Sequence, residues 1–225
     1  MLALYAAMGE TGILTEEQLS TFQKDGSALV AHPVMNEEIG IEASNGSLGQ
    51  GVSMAVGLAL SAKMKNQRCH FYVIAGNGEC NEGIVWEAVA SAVQFQLDNL
   101  TIIIDDNKMQ SDGFSKDIVK INNFGERFGA FGFDVAEVNG HNVHEIEDAL
   151  VRERVKGVPR VIVANTVKGK GVSFMENNNE WHHKRLTEKD YLRAIEELGG
   201  ECPSWNLENL RSKHGQKWDQ GLHLG

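Results

Sequence analysis

The sequence has few cysteines, and their spacing argues against folds that are held together by disulfides or by cysteine-bound zinc. It contains three among 225 residues, Cys69, Cys80 and Cys202, and none forms a CxxC pair. An odd number without paired spacing argues against a disulfide framework and against a zinc ribbon. Because unpaired thiols are typical of reducing compartments, we expect a cytoplasmic protein.

Long apolar runs and an excess of positive charge are lacking too. No apolar run reaches the roughly 18–20 residues that a membrane helix needs. The first residues, MLALYAAMGETG, lack the basic region and the cleavage site of a signal peptide. Lysine and arginine total 21 against 31 acidic residues, which gives a net charge of −10. Because such a chain repels phosphate backbones, we expect neither nucleic acid nor a membrane as its partner.

What remains is an ordinary globular composition, with 42% hydrophobic and 23% charged residues. We predict strands over 69–75, 100–105, 133–138 and 160–166, and helices over 15–23, 47–66, 81–96, 122–131, 142–153 and 187–198. The first two strands are continuous apolar runs, which predicts burial on both faces. The alternation of strands and helices predicts an α/β fold with a parallel sheet flanked by helices. We expect one domain over 1–200 and a poorly ordered or partner-bound tail over 201–225.

Ligands of parallel sheets bind beyond the carboxyl ends of the strands. The octapeptide GNGECNEG directly follows the first buried strand. Its glycines Gly76 and Gly78 permit close approach of the backbone to a phosphate. Asn77 offers a carbonyl oxygen, and Glu79 and Glu82 offer carboxylates. Taken alone, the segment slightly favours a glycine-rich turn with capping residues between a strand and a helix.

The segment DDNKMQSDG follows the second buried strand and carries Asp105, Asp106 and Asn107. Mg²⁺ prefers hard oxygen ligands and usually takes few from the protein when it also binds a diphosphate. Asn77 and Asn107 lie 30 positions apart with a βαβ unit between them, which meets that need. Asparagine and aspartate are also common in turns, so the pair is more informative than either segment alone.

These segments resemble those of a known family. GNGECNEGIVWEA followed by LTIIIDDNK is similar to the thiamine-diphosphate motif, GDG followed after roughly 25–30 residues by asparagine, in its transketolase form. SNGSLGQG resembles the TGxLGQG turn of transketolases, AHP resembles their GHP, and WHHK resembles the WHGK of short transketolase subunits. The matches occur in the family's order across residues 31–184.

The resemblance implies a thiamine-diphosphate-binding fold and a set of site residues. Asn77 and Asn107 would bind Mg²⁺ (or Ca²⁺ or Mn²⁺), together with the backbone carbonyl of Met109. The cofactor-binding residues would be Gly46, Leu48, Gly76, Asn77, Gly78, Glu79, Asn107 and His182. The catalytic residues would be Glu82, which couples to the cofactor-activating glutamate of the partner half, and His32 and His182, which approach cofactor and substrate.

The sequence departs from the family's pattern in three ways. Asn77 replaces the metal-binding aspartate, which removes one negative charge from the site and predicts weaker metal binding. Several tens of residues that usually precede the segment resembling MLALYAAMGETG are expected to be missing. The half that binds the pyrimidine ring is absent, so a separate C-terminal subunit must supply it.

The function implied is that of the N-terminal subunit of a transketolase-like enzyme, which transfers a two-carbon ketol unit between sugar phosphates as a heterotetramer. One alternative is a subunit of another thiamine-diphosphate enzyme, such as a deoxyxylulose-phosphate synthase-like or 2-oxo-acid dehydrogenase-like enzyme. A second is a truncated, non-catalytic homologue, which Asn77 favours. A third is an α/β domain that binds an unrelated nucleotide, which leaves His32 and the SLGQG turn unexplained.

Overall fold

The structure is a computed structural model that describes residues 2–120 and 123–200. Helices α1 to α8 span, in chain order, Leu2–Glu10, Glu16–Leu19, Gln50–Met64, Gly83–Gln94, Ser115–Ile118, Phe124–Phe131, Val143–Val151 and Glu188–Glu197. Strands β1 to β6 span Phe71–Gly76, Leu100–Asp106, Met109–Gln110, Gly113–Phe114, Asp134–Asn139 and Arg160–Asn165. Short 3₁₀ helices cover Glu37–Ile39, Glu79–Asn81 and Asn179–His182. The predicted tail over 201–225 lies outside the described residues.

The central sheet has four parallel strands in the order β1-β2-β6-β5 within the described ranges. Gly76 of β1 is aligned with Asp105 of β2, so these two strands end at the same edge. Strands β2 and β6 are almost wholly buried, as their continuous apolar sequences indicate. The predicted parallel α/β sheet is therefore confirmed.

Strand β1 differs from the prediction that it is buried on both faces. Val73 and Ala75 pack into the core against helix α3. On the opposite face, Tyr72 is 51% exposed and Ile74 is 72% exposed. The prediction is wrong for this face because β1 lies at the edge of the described sheet, a position that a continuous apolar run does not reveal.

Helices α3 and α4 place the loops that precede them. They pack against each other and the sheet through small buried residues, among them Ala55, Ala59, Ala88 and Ala92. Alanines allow two helix backbones to approach closely, so the loops at the two N-termini are held by one rigid pair of helices.

Helix α2 is shorter than predicted, although its predicted start is confirmed. The capping box between Thr15 and Gln18 forms as the sequence indicates. The helix ends at Leu19 because the Gln18 carbonyl accepts hydrogen bonds from the N–H and the hydroxyl of Thr21, at 3.0 and 2.7 Å. The turn that results occupies the remainder of the predicted helix.

The chain divides into two compact units. Unit one comprises the described residues of 1–106 and 121–165 and contains the parallel sheet. Unit two comprises those of 107–120 and 166–225 and contains the antiparallel ribbon β3–β4 and helix α8. Among the helices described, none is both long and apolar enough to traverse a bilayer. The boundary predicted at residue 200 stays a prediction.

Candidate functional site

Buried oxygen donors lie where strands β1 and β2 end. Asn77 directly follows β1, is 3% exposed, and donates its N–H to the Asp105 carbonyl at 3.0 Å. Asp106, the last residue of β2, is 5% exposed. Burial, Glu79 and Asp106 together raise the pKa of the Cys80 thiol to about 12. This edge of the sheet is therefore rich in negative charge, which suits a cation better than a thiolate.

Glu79 joins the loop after β1 to the turn before α3. One carboxylate oxygen accepts the Gly49 N–H at 2.8 Å, and the other accepts the Gly76 N–H at 3.1 Å. A carboxylate that receives two backbone amides is strongly oriented. The residue predicted to bind the cofactor therefore holds together the two segments predicted to surround it.

Gly76 and Gly78 do not use the left-handed conformation that only glycine adopts easily. Gly78 has an ordinary φ of −66°, and Gly76 is not among the residues with positive φ. A Cβ atom added to Gly76 would meet no atom within 4 Å, so the space beside its backbone is open. Lack of a side chain here leaves room for a phosphate to approach the main chain.

Gly46 lies directly against His32, so the AHP segment and the SLGQG turn form one local structure. Gly46 has a φ of +113°, and a Cβ there would lie 2.6 Å from His32 Nδ1. The Asn45 N–H donates to the Pro33 carbonyl at 2.9 Å and ties the two segments together. Leu48, at the tip of the turn, is 56% exposed and available to contact a ligand.

The turn also lies against the start of helix α4. Gly49 has a φ of +80°, and a Cβ there would lie 2.5 Å from Ile84 Cγ2 and 3.1 Å from Glu82 Cβ. Glu82 is the exposed N-cap residue of α4, and its N–H donates to the Glu79 carbonyl at 3.0 Å. Unit one thus brings together its predicted site residues, which are His32, Gly46, Leu48, Gly76, Asn77, Gly78, Glu79 and Glu82.

Unit two carries the other predicted metal ligands. Asn107 Oδ1 accepts the Met109 N–H at 2.9 Å, and Lys108 between them has a left-handed φ of 64°. Met109 is 3% exposed and pairs with Phe114 in the β3–β4 ribbon. This turn orients the Asn107 amide, whose carbonyl oxygen has a second lone pair that could accept a cation.

His182, the last residue of the 3₁₀ helix Asn179–His182, has a partner that the motifs of the sequence do not include. Its Nδ1 lies 2.8 Å from Lys168 Nζ. Burial, Lys168 and His183 lower the pKa of His182, whereas Asp112 opposes them. In the sequence, Lys168 comes shortly after the carboxyl end of β6, just as the GNG loop comes after the carboxyl end of β1. Because ligands bind at this end of parallel strands, the position is the sequence signal that could have identified Lys168 as a candidate site residue.

An open depression in the surface of unit one lies away from these residues. It has a volume of about 430 Å³ and is lined by Tyr72 and by residues 150–154. Within 2–120 and 123–200, no group of three or more histidine, cysteine, aspartate or glutamate side chains is arranged to hold a metal ion. The predicted metal ligands are amide and backbone carbonyl oxygens, which are hard donors that suit Mg²⁺.

Comparison with known proteins identifies the domain. Residues 1–218 match the family model "Transketolase, thiamine diphosphate binding domain". One subunit of the apulose-4-phosphate transketolase of Actinobacillus succinogenes is 42% identical over 197 residues, which cover 88% of this chain and 71% of that protein. A subunit of the 6-deoxy-6-sulfo-D-fructose transketolase of a Clostridium species is 41% identical over 197 residues, with 87% and 72% covered.

Solved structures agree with the sequence comparisons. The transketolase of Campylobacter jejuni superimposes with a TM-score of 0.76 at 33% identity over 82% of this chain. The present chain spans 30% of the length of that enzyme. The resemblance stated from the motifs is thereby confirmed, and so is the predicted fold class. The chain belongs to the transketolase family and carries that family's thiamine diphosphate binding domain.

Proposed function

We propose that this chain is the diphosphate-binding subunit of a two-subunit transketolase-like enzyme, which moves a two-carbon ketol unit between sugar phosphates. The observation that carries the proposal is the Glu79 clamp, which holds the GNG loop against the SLGQG turn. Both segments resemble those of a thiamine-diphosphate site, the chain carries the family's thiamine diphosphate binding domain, and related proteins are named as transketolase subunits.

The donor set fits thiamine diphosphate held through Mg²⁺, or through Ca²⁺ or Mn²⁺. Asn77 and Asn107 would bind the metal with their amide oxygens, and Met109 with its backbone carbonyl. The open backbone at Gly76 would receive the diphosphate, together with the adjacent main chain at Gly78. When bound, thiamine diphosphate supplies the electron sink that permits cleavage of a ketose carbon–carbon bond.

The remaining residues orient the ligands. Gly46 lets the turn pass close to His32, and Leu48 would offer an apolar surface to the thiazolium ring. His32 and His182 would donate hydrogen bonds to substrate oxygens. Glu82 is exposed at the start of α4, where it can meet a carboxyl group of a partner chain.

The partner we propose is the C-terminal subunit that binds the pyrimidine ring, in a heterotetramer with two copies of each chain. Related proteins are named as individual subunits of transketolases, which supports a partner of this kind. The free thiol of exposed Cys69 is compatible with a reducing cytoplasm.

Calorimetry with thiamine diphosphate and Mg²⁺ tests the proposal. The chain alone should bind weakly, because it supplies only the diphosphate half of the cleft, and the partner should raise the affinity at least about tenfold. The complex should then transfer ketol units between sugar phosphates. A complex that binds the cofactor tightly but transfers none would contradict the proposal.

A second candidate function is a non-catalytic homologue that retains the fold. The observation in its favour is Asn77, which provides a neutral amide where the family has a carboxylate. Absence of Mg²⁺-dependent cofactor binding by the complex, together with unchanged binding in Asn77→Asp, would support this alternative.

A further inference from the structure

The contact between Lys168 and His182 has a consequence for the chemistry of the imidazole. Both residues belong to unit two, and Lys168 Nζ lies 2.8 Å from His182 Nδ1. The backbone around His182 is anchored, because Asn178 caps the 3₁₀ helix and Asn179 donates its amide to the Ser111 carbonyl at 2.6 Å. The imidazole is therefore held in a defined position beside the lysine.

The direction of this hydrogen bond determines the tautomer. A lysine ammonium has three donors and no acceptor, so His182 Nδ1 must accept. The proton of the neutral ring then lies on Nε2. This nitrogen can donate a hydrogen bond, whereas Nδ1 is occupied.

The charges that face His182 favour the same state. Burial disfavours the imidazolium, and the positive charge of Lys168 and the adjacent ring of His183 act in the same direction. Asp112 opposes them and is the smallest of these effects. The pKa of His182 is consequently lowered, and the ring is neutral near neutral pH.

We infer that Lys168 is a positioning residue that fixes the Nε2–H tautomer of His182, so that this histidine serves as a neutral hydrogen-bond donor to an oxygen of the sugar phosphate. The assignment of the acceptor rests on the proposed function. The assignment of the tautomer does not, because it follows from the contact within this chain.

The tautomer is measured on the full chain labelled with ¹⁵N-histidine, without cofactor or partner. Long-range ¹H–¹⁵N spectra distinguish Nδ1–H from Nε2–H, and His182→Gln identifies the signal. The wild type should show a neutral ring protonated at Nε2 near neutral pH. Lys168→Met should give a mixture of tautomers and a raised pKa for His182, whereas Lys168→Arg should preserve the tautomer because arginine also only donates.

Lys170→Met is the matched control, since Lys170 pairs with Glu176 at 3.2 Å, and it should leave the His182 signal unchanged. A wild-type ring protonated at Nδ1 would overturn the inference, even if the Lys168 variants failed to fold. An unaltered tautomer and pKa in folded Lys168→Met would overturn it as well.

Kinetics of the complex test the role of the donor. Lys168→Met should lower kcat/KM for the sugar phosphate about tenfold, because the tautomer of His182 is no longer fixed. It should also move the acidic limb of the pH profile to higher pH, because the pKa of His182 rises when the positive charge of Lys168 is removed. An inactive wild-type complex would count against the proposed function and leave the tautomer result standing. An active complex whose pH profile is the same in wild type and Lys168→Met would overturn the donor role.

Discussion

The Glu79 carboxylate accepts a hydrogen bond from the Gly49 N–H at 2.8 Å and so joins two loops that lie 30 residues apart in the chain. Its other oxygen accepts the Gly76 N–H. We expect Glu79→Ala to reduce the free energy of unfolding by about 2–4 kcal/mol, because two partly buried amides lose their acceptor. Glu79→Gln, which keeps one acceptor oxygen, should cost about half as much.

Urea unfolding followed by circular dichroism measures both effects. Glu87→Ala, at an exposed position of helix α4, is the control and should change stability by less than about 0.5 kcal/mol. If Glu79→Ala and the control are equally stable, the clamp does not hold the two loops together.

Asn77→Asp should have opposite effects on the free and the loaded protein. The new carboxylate would be buried beside the acidic end of β2, which should destabilise the metal-free chain by about 2–3 kcal/mol. With Mg²⁺ and the partner chain present, the restored charge should tighten thiamine diphosphate binding about tenfold, and a chelator should abolish the gain. Thermal shift assays with and without Mg²⁺ separate the two effects.

Asn66→Asp is the matched control for that substitution. It adds the same charge at an exposed position with positive φ, which aspartate also tolerates. Tighter Mg²⁺-dependent binding in the control as well would show that the gain at Asn77 is not local.

His70 should make stability depend on pH in the acid range. Burial, Arg154 and Arg160 lower its pKa to about 4 from 6.5, and its Nε2 lies 2.9 Å from Thr101 Oγ1. Between these two pH values the unfolded chain binds a proton at His70 that the folded chain does not bind. The contribution of neutral His70 to the free energy of unfolding is therefore complete above pH 6.5 and is lost as the pH drops toward about 4. The loss should be about 1–2 kcal/mol, allowing for solvent screening at this partly exposed site.

Urea unfolding at a series of pH values checks the dependence on His70. His70→Gln retains a polar partner for Thr101 and should flatten the curve over this range. His144→Gln, at an exposed position of helix α7, should leave the curve unchanged. A slope that persists in His70→Gln would assign the effect to other groups.

Glu82 should contribute to assembly rather than to the stability of the isolated chain, because it is exposed and makes no capping hydrogen bond with its side chain. If it meets a carboxyl group of the partner chain, Glu82→Gln should weaken the complex and lower turnover about tenfold or more. Sedimentation of the mixed subunits and steady-state kinetics measure the two effects. Glu87→Gln is the control on the same helix. A complex of unchanged size and affinity in Glu82→Gln would contradict an interfacial role.

Much of the fold was predictable from the sequence because its signals are local. Apolar runs and turn residues located the strands of the sheet, and the cap residues Thr15 and Thr187 located two helix starts. The burial of β1 was not predictable, because a strand's place in a sheet depends on which strands pair with it. Ile74 has the same sequence environment as a core residue, yet its side chain is exposed.

Some features of the candidate site could likewise be predicted from the sequence, and others could not. The order of motifs from AHP to WHHK identified the family, since each motif is a short run of residues whose chemistry is visible in the sequence. The clamp from Glu79 to Gly49 and the contact of Lys168 with His182 were decided only by the tertiary structure. Both join residues from different loops that lie 30 and 14 positions apart in the chain, beyond the reach of a local sequence pattern. Such contacts depend on the path of the folded backbone, which brings donors and acceptors from separate loops within hydrogen-bonding distance.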